Sequence, residues 1–143
     1  RGMSSAASDV YKRQVKNNPT IKPVWFMRQA GRYLPEFRDI RSMNQDFIKL
    51  CLNENLVPEI TLQPLKRFKI DAAIIFSDIL MIPYALGQSV TFKKDFGPIL
   101  GELSKIESST LNEQKFLNKL SAVYKSMLAI SAKLKNKNKT YII

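Results

Sequence analysis

The stretch DAAIIFSDIL, Asp71 to Leu80, restricts this chain more than any other. From Ala72 to Phe76 it is apolar without alternation, which is the pattern of a strand covered on both faces. Strands of that kind belong to the parallel sheets of α/β proteins. The surroundings have a matching order. A helical pattern starts near Asn53, which suits a helix cap, and Leu56, Glu59, Ile60, Gln63 and Leu65 come after it at helical spacing. Asn112 through about Asn136 reads as one long helix with Phe116, Leu120, Val123, Met127, Ile130 and Leu134 on its apolar face. TYII at residues 140–143 then begins another strand. Helix, buried strand, long helix and strand is the order of βα units, so the fold class is α/β.

A complete (β/α)8 barrel takes roughly 250 residues. A chain of 143 residues is expected to be the N-terminal portion of such a TIM-type barrel, truncated after the early βα units. Residues 1–20, small and polar without a sustained period, are expected to be a disordered or non-native leader, leaving 21–143 as the partial barrel domain. PVWFM reads as a short extended segment, with Trp25 and Met27 expected in the core. QAGRYLPEFRDI reads as a loop leading to a helix, with Gly31 and Pro35 as breakers. A short helix is expected over about Gln45 to Cys51, and Pro58 and Pro64 interrupt the helical segment after it. QSVTFKKDFG is expected to be extended and to end in a turn, with Gly97-Pro98 as the turn signal.

Charge narrows the partners. Lys plus Arg number 23 against 12 Asp plus Glu, a formal net charge of +11, which favours anionic ligands or surfaces. The lysine-rich KLKNKNK at 133–139 reads as a solvated helix end, although a basic nucleic-acid-binding module is the alternative to weigh. No run reaches the roughly 18 apolar residues of a membrane span; AAIIFSDILMIPYAL is interrupted by Asp78 and Pro83. The lone Cys51 excludes an internal disulfide, fits a reducing compartment and is expected to be buried and inert, so a cytoplasmic location is expected. The chain has no histidine, which removes His-based triads and His-ligated zinc sites.

Two features carry chemistry. Asp78 stands at the carboxyl end of the buried run, where ligands and catalytic groups collect in parallel α/β proteins. The competing reading is that Ser77 or Asp78 is a helix cap for the residues after it. Arg28 and Arg32 flank Gly31 in RQAGR, directly behind VWFM. Two guanidinium forks around a glycine suit carboxylates or phosphates. The competing reading is ion pairing at the surface, with Glu36 or Asp39. Arg38 and Arg41 extend the basic character as solvated helix charges.

PVWFMRQAGRYLPEFR, from Pro23, and TLQPLKRFKIDAAIIFSDILMIPYALG, to Gly87, closely resemble the uroporphyrinogen decarboxylase family. The family's hallmark, P-x-W-x-M-R-Q-A-G-R, is matched at every fixed position from Pro23 to Arg32. The resemblance implies a (β/α)8 barrel, homodimeric when complete, that uses neither metal nor organic cofactor. It implies removal of the four acetate carboxyl groups of uroporphyrinogen III to give coproporphyrinogen III in tetrapyrrole biosynthesis. It also implies that Arg28, Gln29, Ala30, Gly31 and Arg32 line the substrate site, with the arginines binding acetate or propionate groups. Asp78 would accept the pyrrole N–H hydrogens and stabilise a cationic intermediate. Arg41 is a weaker contact candidate, Phe47 weaker still, and the proton donor stays open between the arginines and bound water.

The resemblance also marks a departure. Family members complete the pocket with a Tyr, a Ser or Thr, and a His from later strands, so this chain is expected to hold part of the site and to be inactive alone. No nucleic-acid or membrane partner is implied. A barrel relative performing methyl transfer would need metal or corrinoid ligands, which are not visible in these residues.

Overall fold

A computed structural model of the chain describes residues 24–93, 96–102, 112–134 and 141–142. The expected leader and most of KLKNKNK lie outside them. The elements run α1 (Pro35–Met43), α2 (Phe47–Cys51), α3 (Leu56–Arg67), β1 (Ala72–Ala73) and α4 (Met81–Ala85). They continue with β2 (Val90–Lys93), β3 (Gly97–Leu100), α5 (Glu113–Lys119), α6 (Ser121–Leu134) and β4 (Tyr141–Ile142).

Pro35 starts α1 where the sequence pattern suggested a breaker. At the first helical position its missing N–H has no intrahelical acceptor to lose, and its fixed φ already suits a helix. Glu36 lies in the first turn and Arg41 in the last, which complements the helix dipole at both ends. Asp46 opens α2 by accepting a hydrogen bond from Lys49 N. Asn53 prepares α3 from a little upstream: its side-chain oxygen takes the N–H groups of Asn55 and Leu56, each at 3.0 Å. Pro58 falls in the first turn of α3 and is tolerated there. Pro64 is interior and removes one ladder hydrogen bond.

The buried run forms less strand than its pattern suggests. Only Ala72 and Ala73 belong to a ladder, paired in parallel with β4 in the register Ala72↔Tyr141 and Ala73↔Ile142. Helices α3 and α6 pack on one another, α3 against β1 and α6 against β4, which makes a helix-covered parallel pair. Ala73, Ile130 and Leu134 are buried in this layer, with Leu62, Ile75 and Ile142 against them. A second cluster gathers Leu34, Phe37, Ile40, Leu50 and Ile60; a third gathers Ile48, Cys51, Met81, Ala85 and Leu120. Phe76 joins these two, meeting Phe37 at 5.5 Å and Phe47 at 6.0 Å, both edge-on.

Three further expectations are corrected. The long helix is two, broken at Leu120, whose N–H is shared between Phe116 O and Leu117 O in a tightened turn. The break falls where Leu120 is buried in the third cluster, while Met127, expected on the apolar face, is exposed. Gly97-Pro98 is not a turn but the start of β3, antiparallel to β2 with Phe92 opposite Pro98. Gly97 has φ 81°, a conformation other residues avoid, and Pro98 sits in a two-stranded sheet where a missing donor costs little. Finally, Met27 is 81% exposed and Trp25 only half-buried, so VWFM is not core. This segment runs along one edge of β1, and its apolar side chains meet no full cover among the described residues. No helix among the described residues is long and apolar enough to cross a membrane.

Candidate active site

The extended segment Val24–Phe26 lies beside β1: Asp71 N donates to Val24 O at 2.8 Å, and Val24 N donates to the Asp71 carboxylate at 2.7 Å. Where the chain then leaves the sheet edge, Gln29 takes its place. Its amide nitrogen donates to Ala72 O at 2.8 Å and to Phe26 O at 3.1 Å, and its amide oxygen accepts from Ile74 N at 2.9 Å. Bonding the C=O before Ala73 and the N–H after it is what one residue of a neighbouring parallel strand does. Gln29 is buried to 4% exposure and thus serves β1 as a one-residue partner. Thr61 performs the next rung. Its hydroxyl, fully buried on α3, donates to Val57 O at 2.7 Å and accepts from Phe76 N at 2.9 Å. Side chains thus satisfy Ile74 N and Phe76 N on this edge of the chain, where no strand pairs among the described residues.

This pinning shapes a cleft of about 410 Å³ at the carboxyl end of β1, between residues 27–33 on one wall and 74–77 on the other. Arg28, Gln29, Ala30, Gly31 and Arg32 all lie in its lining. Arg28 also borders a smaller apolar hollow of about 200 Å³ with Phe26, Tyr33, Pro64, Phe68 and Ile70. Both arginines are exposed, and among the described residues neither guanidinium has an acidic partner. Glu36, the acid nearest in sequence, is bound instead by Arg67, which holds its carboxyl well below the usual range, at about 2. Arg38 spends its guanidinium on the carbonyls of Arg32 and Tyr33 and so stiffens the loop. Tyr33 gives its hydroxyl hydrogen to Gln29 O, and burial first, then Glu36, raises its pKa. At Gly31 an added Cβ would meet only the Tyr33 ring at ordinary contact distances, 3.7 and 3.8 Å. Among the described residues nothing therefore requires a glycine at this position.

Asp78 comes directly after Ser77, the last lining residue, and is not itself in the lining. Its carboxylate accepts from Leu80 N at 2.8 Å and its carbonyl from Met81 N at 3.0 Å, which closes a turn ahead of α4. The N-cap itself is Leu80, without a side-chain cap hydrogen bond, so Asp78 is not the helix cap anticipated. Arg41 is not in the cleft either. It donates to Asn44 O and lies 5.6 Å over the Phe47 ring. Arg41 and Asp78 both act on the Cys51 thiol: burial foremost, then the Asp78 charge, push it up to about 12, against a smaller lowering by Arg41. Among the described residues no three His, Cys, Asp or Glu side chains gather where they could hold a metal ion.

Two residues with consequences for the site escape a reading of the sequence. Thr61 is the one hydroxyl among the buried residues of α3, and that is its signal. Phe76 is recognisably apolar, but its place in both the cleft wall and two core clusters depends on distant partners.

The family model for uroporphyrinogen decarboxylase (URO-D) matches residues 9–142. Among curated relatives, a uroporphyrinogen decarboxylase of Phenylobacterium zucineum (strain HLK1) is 50% identical over 112 residues, covering 78% of this chain and 32% of its own length. That of Rickettsia canadensis (strain McKiel) is 47% identical over 120 residues, covering 84% and 35%. That of Mesorhizobium japonicum is 46% identical over 112 residues, covering 78% and 33%. The chain thus spans about a third of the length of the curated relatives it matches. A match over nearly all of its length, on a parallel α/β frame with paired arginines at a strand end, decides the assignment: the chain belongs to the uroporphyrinogen decarboxylase family.

Proposed function

We propose that this chain is the N-terminal part of a (β/α)8 barrel enzyme that decarboxylates the four acetate side chains of uroporphyrinogen III, giving coproporphyrinogen III and four CO2. Family membership supports this, and the cleft carries it. Two guanidinium groups without an acidic partner among the described residues stand on a loop pinned to the carboxyl end of a parallel strand. A ligand bearing eight carboxylates supplies the charge that those forks lack.

The chemistry is set by what an acetate arm needs. Losing CO2 leaves an electron pair on the methylene carbon. Protonating the adjacent pyrrole at a ring carbon converts its nitrogen to an iminium that receives the pair, and a further proton on the methylene carbon completes a methyl group. The proton on the ring is then returned, so each arm exchanges CO2 for one hydrogen. In this reading Arg28 and Arg32 grip acetate or propionate groups, with Gln29, Ala30 and Gly31 lining the site between them. Asp78 accepts pyrrole N–H groups with the oxygen not engaged by Leu80 and stabilises the cationic ring. Arg41 contributes positive potential from behind the Phe47 ring. No cofactor is called for in this scheme.

The cleft is too small to enclose a whole macrocycle, so the rest of the barrel supplies the remaining walls, and the 143 residues are inactive alone. The complete protein works as a cytoplasmic homodimer in haem or chlorophyll synthesis. The test is to incubate the full-length protein with enzymatically generated uroporphyrinogen III under reducing conditions and chelator, and to follow porphyrins after oxidation. Sequential seven-, six-, five- and four-carboxyl products are expected. Untouched substrate from a folded protein overturns the proposal.

A further inference from the structure

We infer that Gln29 and Thr61 are positioning residues for this reaction: two side-chain braces that fix the backbone from Ala72 to Phe76 and so hold Asp78 at a set distance from Arg28 and Arg32. The inference rests on the decarboxylase reading above. The Gln29 amide has both of its polar atoms committed to backbone, to Phe26 O, Ala72 O and Ile74 N, so it has little left to offer a ligand even though it lies in the cleft wall. It ties the arginine loop to the strand in a single step, since Arg28 precedes it and Gly31 and Arg32 come after it. Thr61 ties α3 to Phe76 N, two residues before Asp78. Phe76 is also wedged edge-on between Phe37 and Phe47, so its backbone and its ring are both held. Both walls of the cleft are therefore anchored to one short piece of chain. If either brace is cut, arginines and carboxylate lose their common reference, which is a loss of geometry rather than of a binding group.

The braces predict a kinetic signature that a substrate contact or a purely structural role would not give. In the full-length protein, Gln29→Met and Thr61→Val are each expected to lower kcat about 10- to 100-fold with KM within about two-fold. Thr61→Ser, which keeps the hydroxyl, is expected to retain kcat within about three-fold. Gln29→Glu supplies a pH readout. Its ionised carboxylate opposes Ala72 O acceptor to acceptor, whereas the protonated acid again offers one donor and one acceptor. Its activity relative to wild type is expected to rise as pH falls. Amide hydrogen exchange in the same proteins is expected to quicken at Ile74 in Gln29→Met and at Phe76 in Thr61→Val. Raised KM with kcat unchanged assigns Gln29 to substrate binding and overturns the inference, as does unchanged kinetics with unchanged exchange. If Gln29→Met does not fold, the Gln29→Glu pH profile and the Thr61→Val and Thr61→Ser pair decide the matter. A wild-type protein that leaves uroporphyrinogen intact overturns the decarboxylase reading, and amide exchange then judges the braces by themselves.

Discussion

Arg67 gives Glu36 two hydrogen bonds, Nε to Oε1 at 2.7 Å and Nη2 to Oε2 at 2.9 Å, and this pair ties α3 to α1. Its consequence lies elsewhere. Glu36 is the acid best placed in sequence to neutralise Arg28 or Arg32, and its commitment to Arg67 leaves the cleft positively charged.

That division of labour predicts separable effects. Arg28→Met and Arg32→Met should leave stability within about 0.5 kcal/mol, since both side chains are exposed and hold no described partner. Catalytic efficiency of the full-length protein should fall about 10- to 100-fold for each, the worth of one charge-assisted contact of about 1.5–3 kcal/mol. Arg→Lys at either position should recover only part, because a point charge cannot grip a carboxylate with two parallel hydrogen bonds. Thermal melts beside steady-state kinetics check both halves.

The same pair sets an acid limit. Glu36 has its pKa lowered from 4.5 to about 2, chiefly by the hydrogen bond from Arg67. A depressed carboxyl contributes stability that is fully present above its unfolded value and is lost as pH falls through its folded one. The window is therefore about pH 4.5 to 2. Both partners are well exposed to solvent, so the effect is modest and screened by salt. Glu36→Gln should flatten the pH dependence of stability in that window and leave the neutral-pH kinetics unchanged, as paired acid titrations would show.

Asp78 has two roles to separate. Its hydrogen bond to Leu80 N closes a turn that asparagine closes equally well, whereas a neutral amide cannot balance a cationic ring. Asp78→Asn should keep the melting temperature and lose at least about 100-fold in kcat. Asp78→Ala should lose the activity and also about 1 kcal/mol of stability. An active Asn variant would leave Asp78 as a turn former ahead of α4 and nothing more.

How much of the fold and site is legible in the sequence depends on the range of the interactions. Local chemistry can be read: Asn112 caps α5 through Lys115 N, Asn53 prepares α3, and the buried run does supply a parallel strand, though only at Ala72 and Ala73. Interactions across long separations cannot. That Met27 faces solvent depends on which elements cover the sheet edge, and that Ala72 O and Ile74 N are satisfied depends on a glutamine some forty residues earlier. A period cannot show that a side-chain amide will replace a strand. In the candidate site, residue types indicate where anions would bind. The braces become visible only with coordinates.

Cys51 offers a chemical probe of the core. It is fully buried, and desolvation aided by the Asp78 charge raises its thiol to about 12, so at pH 8 it is a protonated, unreactive thiol. A thiol reagent should label it in the native protein only at the rate of opening, and at once in denaturant. Fast labelling of the folded protein would show that the cluster of Ile48, Cys51, Met81 and Leu120 opens readily.

Gln63 makes the opposite prediction about stability. It lies at 3% exposure in α3, and neither atom of its amide finds a hydrogen-bond partner among the described residues. A buried polar group left unsatisfied costs about 1–3 kcal/mol, whereas a side chain of similar length without polar atoms avoids that cost. Gln63→Met should therefore raise the midpoint of urea unfolding, by about 1–2 kcal/mol at unchanged slope. Thr61, just upstream on the same helix, should show the contrast: its hydroxyl is satisfied on both sides, and Thr61→Val should destabilise. A Gln63→Met protein that is less stable than wild type would mean that the amide is engaged by a partner outside the described residues.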